Sequence, residues 1–354
     1  MRRKWRVGVI GLGHWYSAYG LARRLTREFP GAELVAVACH DEGQLREFGD
    51  AFQLDTYTDY GELLSREDID IVQISLPVAD IPKCTIATAE SGKHILLGKP
   101  MAMTMEEADT MVDAVRRSGV KCVAYQGTSK LRLQDVKRRI EAGAIGDIVV
   151  MHATARWSLS EDWFGSGKAG WFADPDQVPG GALIDEGIYQ MDALRWLADS
   201  EVVEVDARVA NYVHKDLKVE DWGMATFVFE SGVIATLECS WTITVPRLVP
   251  SPKSNAVRRL EIVGTEGEIH SDGLRDPGHA FLGRGHAQWT FSKTIPEPFN
   301  PYGPVSPFPL THLIDCIESD SATIANIEAA REALRMALAA YRSARIGKRV
   351  SLAA

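Results

Sequence analysis

Long apolar runs and positive charge are both scarce in this sequence, and each shortage excludes a class of function. No stretch approaches the ~18 consecutive apolar residues of a membrane-spanning helix. The 39 Lys and Arg stand against 48 Asp and Glu, a net charge of −9, whereas nucleic-acid binding needs a basic surface. The start, MRRKWR, is basic, but VGVIGLG behind it is a poor signal-peptide core. We therefore expect neither nucleic acid nor a membrane as the main partner.

Cysteine is also scarce, and its distribution does not suit a disulfide framework. The five cysteines are Cys39, Cys84, Cys122, Cys239 and Cys316. Their odd number, wide scatter and apolar neighbourhoods predict reduced core thiols and a cytoplasmic location. No metal is expected either, because His279 and His286, with Asp272 and Asp276 nearby, fit no standard ligand spacing.

The first part of the chain alternates strand-like and helix-like segments. Five apolar runs predict strands, at 6–10, 34–38, 71–76, 94–97 and 121–125. Thr104 and Glu107 have the spacing of a capping box and predict the start of a helix. Such alternation, with nearly continuous apolar strands, predicts an α/β fold with a parallel sheet covered on both faces.

A glycine-rich loop, GLGHWY at 11–16, follows the first predicted strand and opens a helix. Two glycines allow a tight turn and let a pyrophosphate approach the helix N-terminus, although Tyr16 replaces the usual third glycine. The position between strand and helix favours dinucleotide binding over a purely structural turn. The predicted cofactor-binding residues in this loop are Gly11, Gly13, His14 and Trp15.

The end of the second predicted strand normally distinguishes NAD from NADP. An acidic residue there would bind the adenosine ribose of NAD, but the chain reads Ala38-Cys39-His40-Asp41, with the acid two residues late. Cys39 is small, and His40 can face a 2′-phosphate, stack on adenine or be an ordinary exposed loop residue. Both cofactors stay open, and NADP is favoured.

The second part of the chain has a different pattern. After Ile148, extended segments that alternate polar and apolar residues predict an antiparallel sheet with one wet face. Glycine- and proline-rich stretches at 246–254 and 272–309 are interpreted as loops, and helices are predicted at 311–318 and 326–345.

Together these motifs resemble the glucose–fructose oxidoreductase / inositol dehydrogenase / MocA (Gfo/Idh/MocA) family over nearly the whole chain. The segments that carry the resemblance are GLG at 11–13, SLP at 75–77, SGKHILLGKP at 91–100, EAGAIGDI at 141–148, GGALIDEGIYQMD at 180–192 and YRSARIGKRVSL at 341–352. It implies a Rossmann dinucleotide-binding domain, here 1–123, followed by an α/β domain with a large open, mostly antiparallel sheet, here 124–354. It also implies a nicotinamide cofactor, a sugar-like, cyclitol or other polyol or ketone substrate, and a homodimer or homotetramer formed through that sheet.

The segment 180–192 places Asp185, Tyr189 and Asp192 at i, i+4 and i+7, along one side of a predicted helix. A polar solvent face is one interpretation; a glycine pair and Gly187 favour room for a ligand near the backbone. In the family, an Asp and a residue four positions on, usually His, point into the substrate pocket. The resemblance thus implies catalytic roles for Asp185 and Tyr189, and a weaker substrate contact for Asp192.

Lys99 lies in GKP at 98–100, where the family has Glu-Lys-Pro, so Gly98 departs from the motif and the lysine is kept. It follows the fourth predicted strand, at the edge where an open α/β sheet binds its ligand; a surface lysine is the alternative. The resemblance implies that Lys99 contacts both cofactor and reacting oxygen, and that Tyr189 handles the proton. Asp185 would hold a substrate hydroxyl or orient the other two.

Further departures concern PVAD at 77–80, where the family often has Asn-His after the proline, and YQGTS at 125–129, which replaces an arginine-rich segment. The resemblance places both segments near the nicotinamide or substrate. It adds cofactor contacts at Ser75, Pro77 and Gln126. Trp163 and Trp171 can form an apolar wall against a sugar face, or belong to the core or an interface.

The predicted function is hydride transfer between NAD(P) and a secondary alcohol or ketone of a sugar, cyclitol or related polyol. A catalytically altered nucleotide-binding sensor or regulator of the same fold is one alternative. A transient hydride step that serves elimination or glycoside cleavage is another.

Overall fold

The computed structural model describes residues 4–27, 29, 31–159, 170–242, 257–272, 276–283, 290–293 and 309–352. The chain divides into two compact units, Met1–Tyr125 with Phe308–Arg331, and Gln126–Pro307 with Glu332–Ala354. The first break lies close to the predicted boundary at 123/124. Residues 308–331 belong with the first unit, whereas the predicted division placed them in the second domain.

The first unit is built on a six-stranded parallel sheet in the order β3-β2-β1-β4-β5-β6. Its strands are β1 (Trp5–Ile10), β2 (Ala32–Ala38), β3 (Asp55–Tyr57), β4 (Ile71–Ile74), β5 (His94–Leu97) and β6 (Cys122–Ala124). Its helices are α1 (Trp15–Arg27), α2 (Glu42–Phe52), α3 (Tyr60–Leu64), α4 (Ile81–Glu90) and α5 (Met105–Ser118), with α10 (Pro309–Glu318) and the start of α11 (Ile327–Ile346). The parallel sheet predicted from the sequence is confirmed.

Local sequence signals explain how α5 begins and ends. The Glu107 N–H donates to Thr104 Oγ1 at 3.2 Å, and the Thr104 N–H donates to Glu107 Oε2 at 3.1 Å. This reciprocal pair satisfies N–H groups that have no partner inside the helix, and the predicted capping box is confirmed. The helix ends at Gly119, whose φ of 68° lies in the left-handed region that favours glycine.

The second unit carries a nine-stranded sheet in the order β14-β13-β12-β11-β7-β10-β9-β8-β15. Its strands are β7 (Ile148–Arg156), β8 (Val202–Ala210), β9 (Trp222–Phe229), β10 (Ile234–Ser240), β11 (Val257–Gly264), β12 (Gly267–Asp272), β13 (Asp276–Gly283), β14 (Thr290–Lys293) and β15 (Val350–Ser351). Its helices are α6 (Thr128–Arg132), α7 (Gln134–Glu141), α8 (Ala182–Asp185) and α9 (Gly187–Ala198), followed by the rest of α11. Neighbouring strands are antiparallel except β7 and β10, which confirms the mostly antiparallel sheet.

Burial alternates along β10, as expected for a sheet with one covered face. Ala235, Leu237 and Cys239 are buried, whereas Ile234 is 43% exposed. A Cβ at Gly187, the first residue of α9, would lie 3.1 Å from Cys239 Sγ. The helix therefore packs on the buried face of this strand.

Two expectations from the sequence need correction. The stretch 272–309, interpreted as a loop, contains β13 and β14, because its residues pair with the edge of the sheet in spite of their glycines. The single helix predicted to carry Asp185, Tyr189 and Asp192 is two helices, α8 and α9, separated at Glu186. No helix of the described part is long and apolar enough to cross a membrane.

Candidate active site

The glycine loop of the first unit lies against the segment that follows β4. Gly11 has a φ of +82°, and a Cβ there would lie 2.5 Å from Leu76 Cδ2. A Cβ at Gly13 would lie 2.9 Å from Pro77 Cδ. Only glycine fits this turn, and packing within the protein is itself sufficient to require it.

Hydrogen bonds join the same two segments. The His14 N–H donates to the Ser75 carbonyl at 2.9 Å. Ser17 Oγ and Ser75 Oγ are 2.9 Å apart, and Gln73 Nε2 donates to Ser75 Oγ at 3.0 Å. The structure therefore brings together Gly11, Gly13, His14, Ser75 and Pro77. Trp15 begins α1, but its side chain lies outside the described part.

Lys99 and His14 are both buried, each with 2% of its surface exposed. Burial first, and then the positive charge of Lys99, holds the pKa of His14 well below its usual value, so His14 is neutral at pH 7. Its ring stacks on the Tyr16 ring, with the two ring centres 5.4 Å apart. The interpretation of Lys99 as an exposed surface lysine does not hold.

Gly98, the departure from the Glu-Lys-Pro motif, has a local packing cause. A Cβ at this position would lie 2.9 Å from the Ile74 carbonyl oxygen and 3.1 Å from Ile81 Cδ1. The backbone before Lys99 is thus packed closely against the end of β4. A larger side chain would require this segment to move.

At the end of β2, Cys39 is buried and His40 is exposed. Burial raises the pKa of the Cys39 thiol. Asp41 caps α2, since its Oδ1 accepts from the Gln44 N–H at 2.9 Å. The first carboxylate after β2 is therefore already bound to a helix N-terminus.

The glycines of 180–187 serve packing in the second unit, which corrects the interpretation that they open room for a ligand. A Cβ at Gly180 would lie 2.1 Å from the Tyr341 ring, and one at Gly181 would lie 2.0 Å from the Glu220 carbonyl oxygen. A Cβ at Gly187 would make a less severe but still tight contact, 3.1 Å from Cys239 Sγ on β10. Protein atoms fill all three spaces.

Asp185, Tyr189 and Asp192 are buried, at 7%, 7% and 1% exposure, so they do not form a solvent face. Asp185 Oδ2 accepts from Trp241 Nε1 at 3.0 Å. Asp192 Oδ1 accepts from Lys130 Nζ at 3.0 Å. Burial raises the pKa of the Asp192 carboxyl and lowers that of the Lys130 ammonium. The Asp192 carboxylate thus forms a buried ion pair between α9 and α6.

Three predicted site residues, Gln126, Trp171 and Trp163, and His286 from the rejected metal pattern, have still to be placed. Gln126 is buried, with 1% of its surface exposed. Trp171 is half-buried and stacks on Phe172 with ring centres 3.9 Å apart. Trp163 and His286 lie outside the described residues.

Comparison with known families identifies both units. Residues 5–126 match the model of an oxidoreductase family with an NAD-binding Rossmann fold, and residues 133–270 match the C-terminal domain of the same GFO/IDH/MocA family. The chain belongs to the Gfo/Idh/MocA family of oxidoreductases. The family resemblance and the dinucleotide-binding fold predicted from the sequence are confirmed.

Relatives of this Gfo/Idh/MocA oxidoreductase include named dehydrogenases. A scyllo-inositol 2-dehydrogenase (NAD(+)) of Bacillus subtilis is 28% identical, and the match covers 99% of this chain and 97% of the relative. A myo-inositol 2-dehydrogenase of Thermotoga maritima is 25% identical, with 77% and 76% covered. The solved structure of levoglucosan dehydrogenase in complex with NADH and L-sorbose has a TM-score of 0.82 at 23% identity, with 99% of each chain covered. That structural likeness shows the fold.

Glu220 is a residue of this Gfo/Idh/MocA oxidoreductase that the sequence analysis missed. Its carboxylate accepts from the N–H groups of Gly181 and Leu183, both at 2.9 Å, and from Tyr341 Oη at 2.7 Å. Burial raises the pKa of Glu220, and burial with the nearby Glu220 charge raises that of Tyr341 well above its usual value. The Glu220 carboxylate caps the N-terminus of α8, the helix that ends at Asp185.

Trp241 was missed as well, and no local signal could have found it. It is 1% exposed and follows β10, 56 residues from the Asp185 that it contacts. Its indole N–H holds one oxygen of that carboxylate, which orients the group. Tyr341, by contrast, lies in the closing motif 341–352, although its role there was not predicted.

Proposed function

We propose that this oxidoreductase transfers hydride between a nicotinamide dinucleotide and a secondary alcohol or ketone of a sugar, cyclitol or related polyol. The observation that carries the proposal is the buried Lys99, two residues after the end of β5. The strand order reverses between β1 and β4, and ligands of open α/β sheets bind at the carboxyl ends of such strands. Lys99 follows the neighbouring strand at that same edge.

The loop after β1 suits a dinucleotide. It turns at Gly11 in a conformation that favours glycine, and it leads into the N-terminus of α1, where backbone N–H groups can receive a pyrophosphate. Gly11, Gly13, His14, Trp15, Cys39, His40, Ser75, Pro77, Lys99 and Gln126 are the residues proposed to hold it. When bound, the nicotinamide supplies hydride chemistry.

The protein then has to orient the reacting carbon and move one proton. We assign the hydrogen bond to the reacting oxygen to Lys99, where an ammonium stabilises negative charge. Tyr189 passes the hydroxyl proton, since a phenol with an ordinary pKa of about 10 suits donation to a carbonyl. Asp185, oriented by Trp241, holds a substrate hydroxyl.

The names of the relatives support this substrate class. Two of them are inositol 2-dehydrogenases, and the levoglucosan dehydrogenase structure contains L-sorbose. Because the named relatives are dehydrogenases, the sensor alternative is not carried further. A transient hydride step for elimination would leave the free cofactor unchanged during turnover, which an absorbance assay distinguishes.

The choice of cofactor rests on two opposed observations. The first carboxylate after β2, that of Asp41, caps α2, which favours NADP. The Bacillus relative is named as NAD(+)-dependent, and the levoglucosan dehydrogenase structure holds NADH. We retain NADP as the proposal from the chain's own residues and treat NAD as the competing outcome.

Two further proposals concern the protein as a whole. The five cysteines are buried free thiols, which supports a cytoplasmic location. The nine-stranded sheet leaves Met224 and Ile234 42% and 43% exposed, which supports a homodimer or homotetramer through that face.

A titration with NADH and NADPH tests the proposed function, with energy transfer from tryptophan to the nicotinamide as the signal. Tight binding of one of them identifies the cofactor for a screen of polyols and ketones. Binding of neither, with no nucleotide carried through purification, would overturn the oxidoreductase assignment for this chain. Binding without turnover on the screen would overturn the proposed substrate class.

A further inference from the structure

Arg258 on β11 lies beside the proposed proton-transfer residue. Its guanidinium carbon is 5.3 Å from the centre of the Tyr189 ring and 6.0 Å from that of Trp157. Its Nη2 is 3.2 Å from Glu186 Oε2, and the two side chains are only 18% and 6% exposed. A cation is thus held between two aromatic rings and paired with one carboxylate.

This guanidinium uses little of its hydrogen-bonding capacity. An arginine side chain has five N–H donors. Among the described residues, Arg258 makes one side-chain hydrogen bond, to Glu186, and its buried Nε has no hydrogen-bond partner. An arginine that served only to neutralise Glu186 would be expected to use its planar fork in a bidentate contact. Arg258 therefore retains donors next to the Tyr189 ring.

We propose that Arg258 and Glu186 form a substrate-binding pair that selects a neutral polyol over a sugar acid. The proposal rests on the proposed function in one respect, that Tyr189 faces the substrate. A hydroxyl is both donor and acceptor, so it can accept from the guanidinium and donate to the carboxylate. The faces of Tyr189 and Trp157 offer apolar surface to the C–H groups of a sugar or cyclitol ring.

The charges of the pair explain the selection. Because Arg258 and Glu186 neutralise one another, the pair itself presents no net charge to a neutral ligand. A ligand carboxylate would be attracted by Arg258 and repelled by Glu186, whose own carboxylate lies beside it. Removal of the Glu186 charge should leave an uncompensated cation that prefers the sugar acid.

Calorimetric binding to the dinucleotide-saturated protein tests the pair. The neutral probes are myo-inositol and D-glucose, and the anionic probe is D-glucuronate, which differs from glucose in carrying a carboxylate at C6. Arg258→Gln should weaken binding of the neutral probes about 10-fold or more, as expected for a lost hydrogen bond to a charged group. Glu186→Gln should shift the glucuronate-to-glucose affinity ratio toward glucuronate by about 10-fold or more.

The neighbouring Arg259 provides the matched control, because it lies on the same strand with an exposed side chain. Arg259→Gln should leave all affinities within about twofold, as expected for a surface position. Arg258→Lys, which keeps the charge and loses the fork, gives a second variant if Arg258→Gln does not fold. It should also weaken binding of the neutral probes.

Three results would overturn the pair: unchanged affinities in both Arg258 variants, an unchanged affinity ratio in Glu186→Gln, or no binding of any probe by the unsubstituted protein. Hydride transfer, followed on the same samples, separates this inference from the proposed function. Binding that depends on Arg258 and Glu186 without hydride transfer would support the pair and overturn the proposed function. Turnover that is insensitive to substitution of either Arg258 or Glu186 would support the proposed function and overturn the pair.

Discussion

Charged side chains that are buried away from water occur in each of the two units. Lys99 is 2% exposed in the first unit, and Lys130 and Asp192 are 1% exposed in the second. Burying such a charge costs several kcal/mol unless hydrogen bonds or a counter-charge offset the loss of water. The Lys130–Asp192 pair has a structural explanation in its 3.0 Å contact. For Lys99, which follows β5 at the carboxyl edge of the parallel sheet, we propose a role at the reacting oxygen.

Replacement of Lys99 by alanine is therefore expected to remove catalysis and keep cofactor binding. Turnover should fall about 100-fold or more, as for loss of a group that stabilises developing negative charge. The dinucleotide Kd should change by only a few-fold. Lys93, at the opposite end of β5, is the control, since its Nζ donates to the Arg66 and Ile69 carbonyls. Lys93→Met should lower the melting temperature without lowering kcat. A Lys99→Ala variant with wild-type kcat would show that Lys99 takes no part in the mechanism.

Tyr189→Phe tests the proton donor at almost constant shape. The variant loses only the phenolic hydroxyl, so kcat should fall about 100-fold while the melting temperature changes little. Tyr212, which is 61% exposed, provides the matched control, and Tyr212→Phe should keep wild-type kcat. Steady-state assays with the cofactor identified by titration measure both. A Tyr189→Phe enzyme as fast as wild type would show that another group moves the proton.

At the scale of elements, α8 depends on a close approach that only glycine allows, and α9 begins at a glycine with a tight contact. Gly181 lies against the backbone of Glu220, whose carboxylate caps α8. Gly187 lies against β10. The helix that ends at Asp185 is therefore positioned by packing and by its cap. Its geometry should be sensitive to a single added methyl group.

Gly181→Ala is expected to lower the free energy of unfolding by about 1–3 kcal/mol, because the new Cβ would lie 2.0 Å from a backbone oxygen that cannot easily move. Gly20→Ala is the control, and it should have the opposite effect on stability. Gly20 lies inside α1 with no atom within 4 Å of its added Cβ, so alanine should stabilise the helix by about 0.5–1 kcal/mol. Thermal and denaturant unfolding measure both. A stable Gly181→Ala variant would contradict the packing argument.

Elements whose signals are local could be predicted from the sequence. The capping box at Thr104 and Glu107 needs only two residues three positions apart, and the apolar strands need only an unbroken run. Elements that depend on pairing with another strand could not be predicted in this way. Residues 276–283 and 290–293 contain glycine, histidine and serine. They form strands because β12 offers an edge to β13, and β13 in turn offers one to β14.

At the scale of the whole molecule, α8 and α9 pack on one side of β7, β9 and β10, and apolar side chains of β9 and β10 are exposed on the other side. Met224 lies opposite Glu238 on the neighbouring strand, and Ile234 lies four residues before Glu238 on the same face. Both are more than 40% exposed. Exposed apolar groups on a broad sheet suit an interface between copies of the chain.

We therefore expect a dimer or tetramer in sedimentation velocity, and dissociation when Met224→Lys and Ile234→Lys are combined, because two buried ammonium groups would oppose association. Ile346, on α11 and 48% exposed, gives the control. Ile346→Lys should leave the oligomer intact. A wild-type monomer would contradict the proposed interface, as would a double variant that keeps its oligomeric state.

By itself, the sequence determined the class of elements, the glycine loop between the first strand and helix, and the family. These depend on periodicity and on motifs that are contiguous in the chain. Tertiary structure alone decided that Trp241 holds Asp185, that Lys130 pairs with Asp192, that Arg258 lies over Tyr189, and that residues 308–331 belong to the first unit. The physical reason is that a buried polar group must find a partner in whichever element packs against it. That choice is made by the packing of the sheet and helices, over separations of tens of residues that local patterns do not encode.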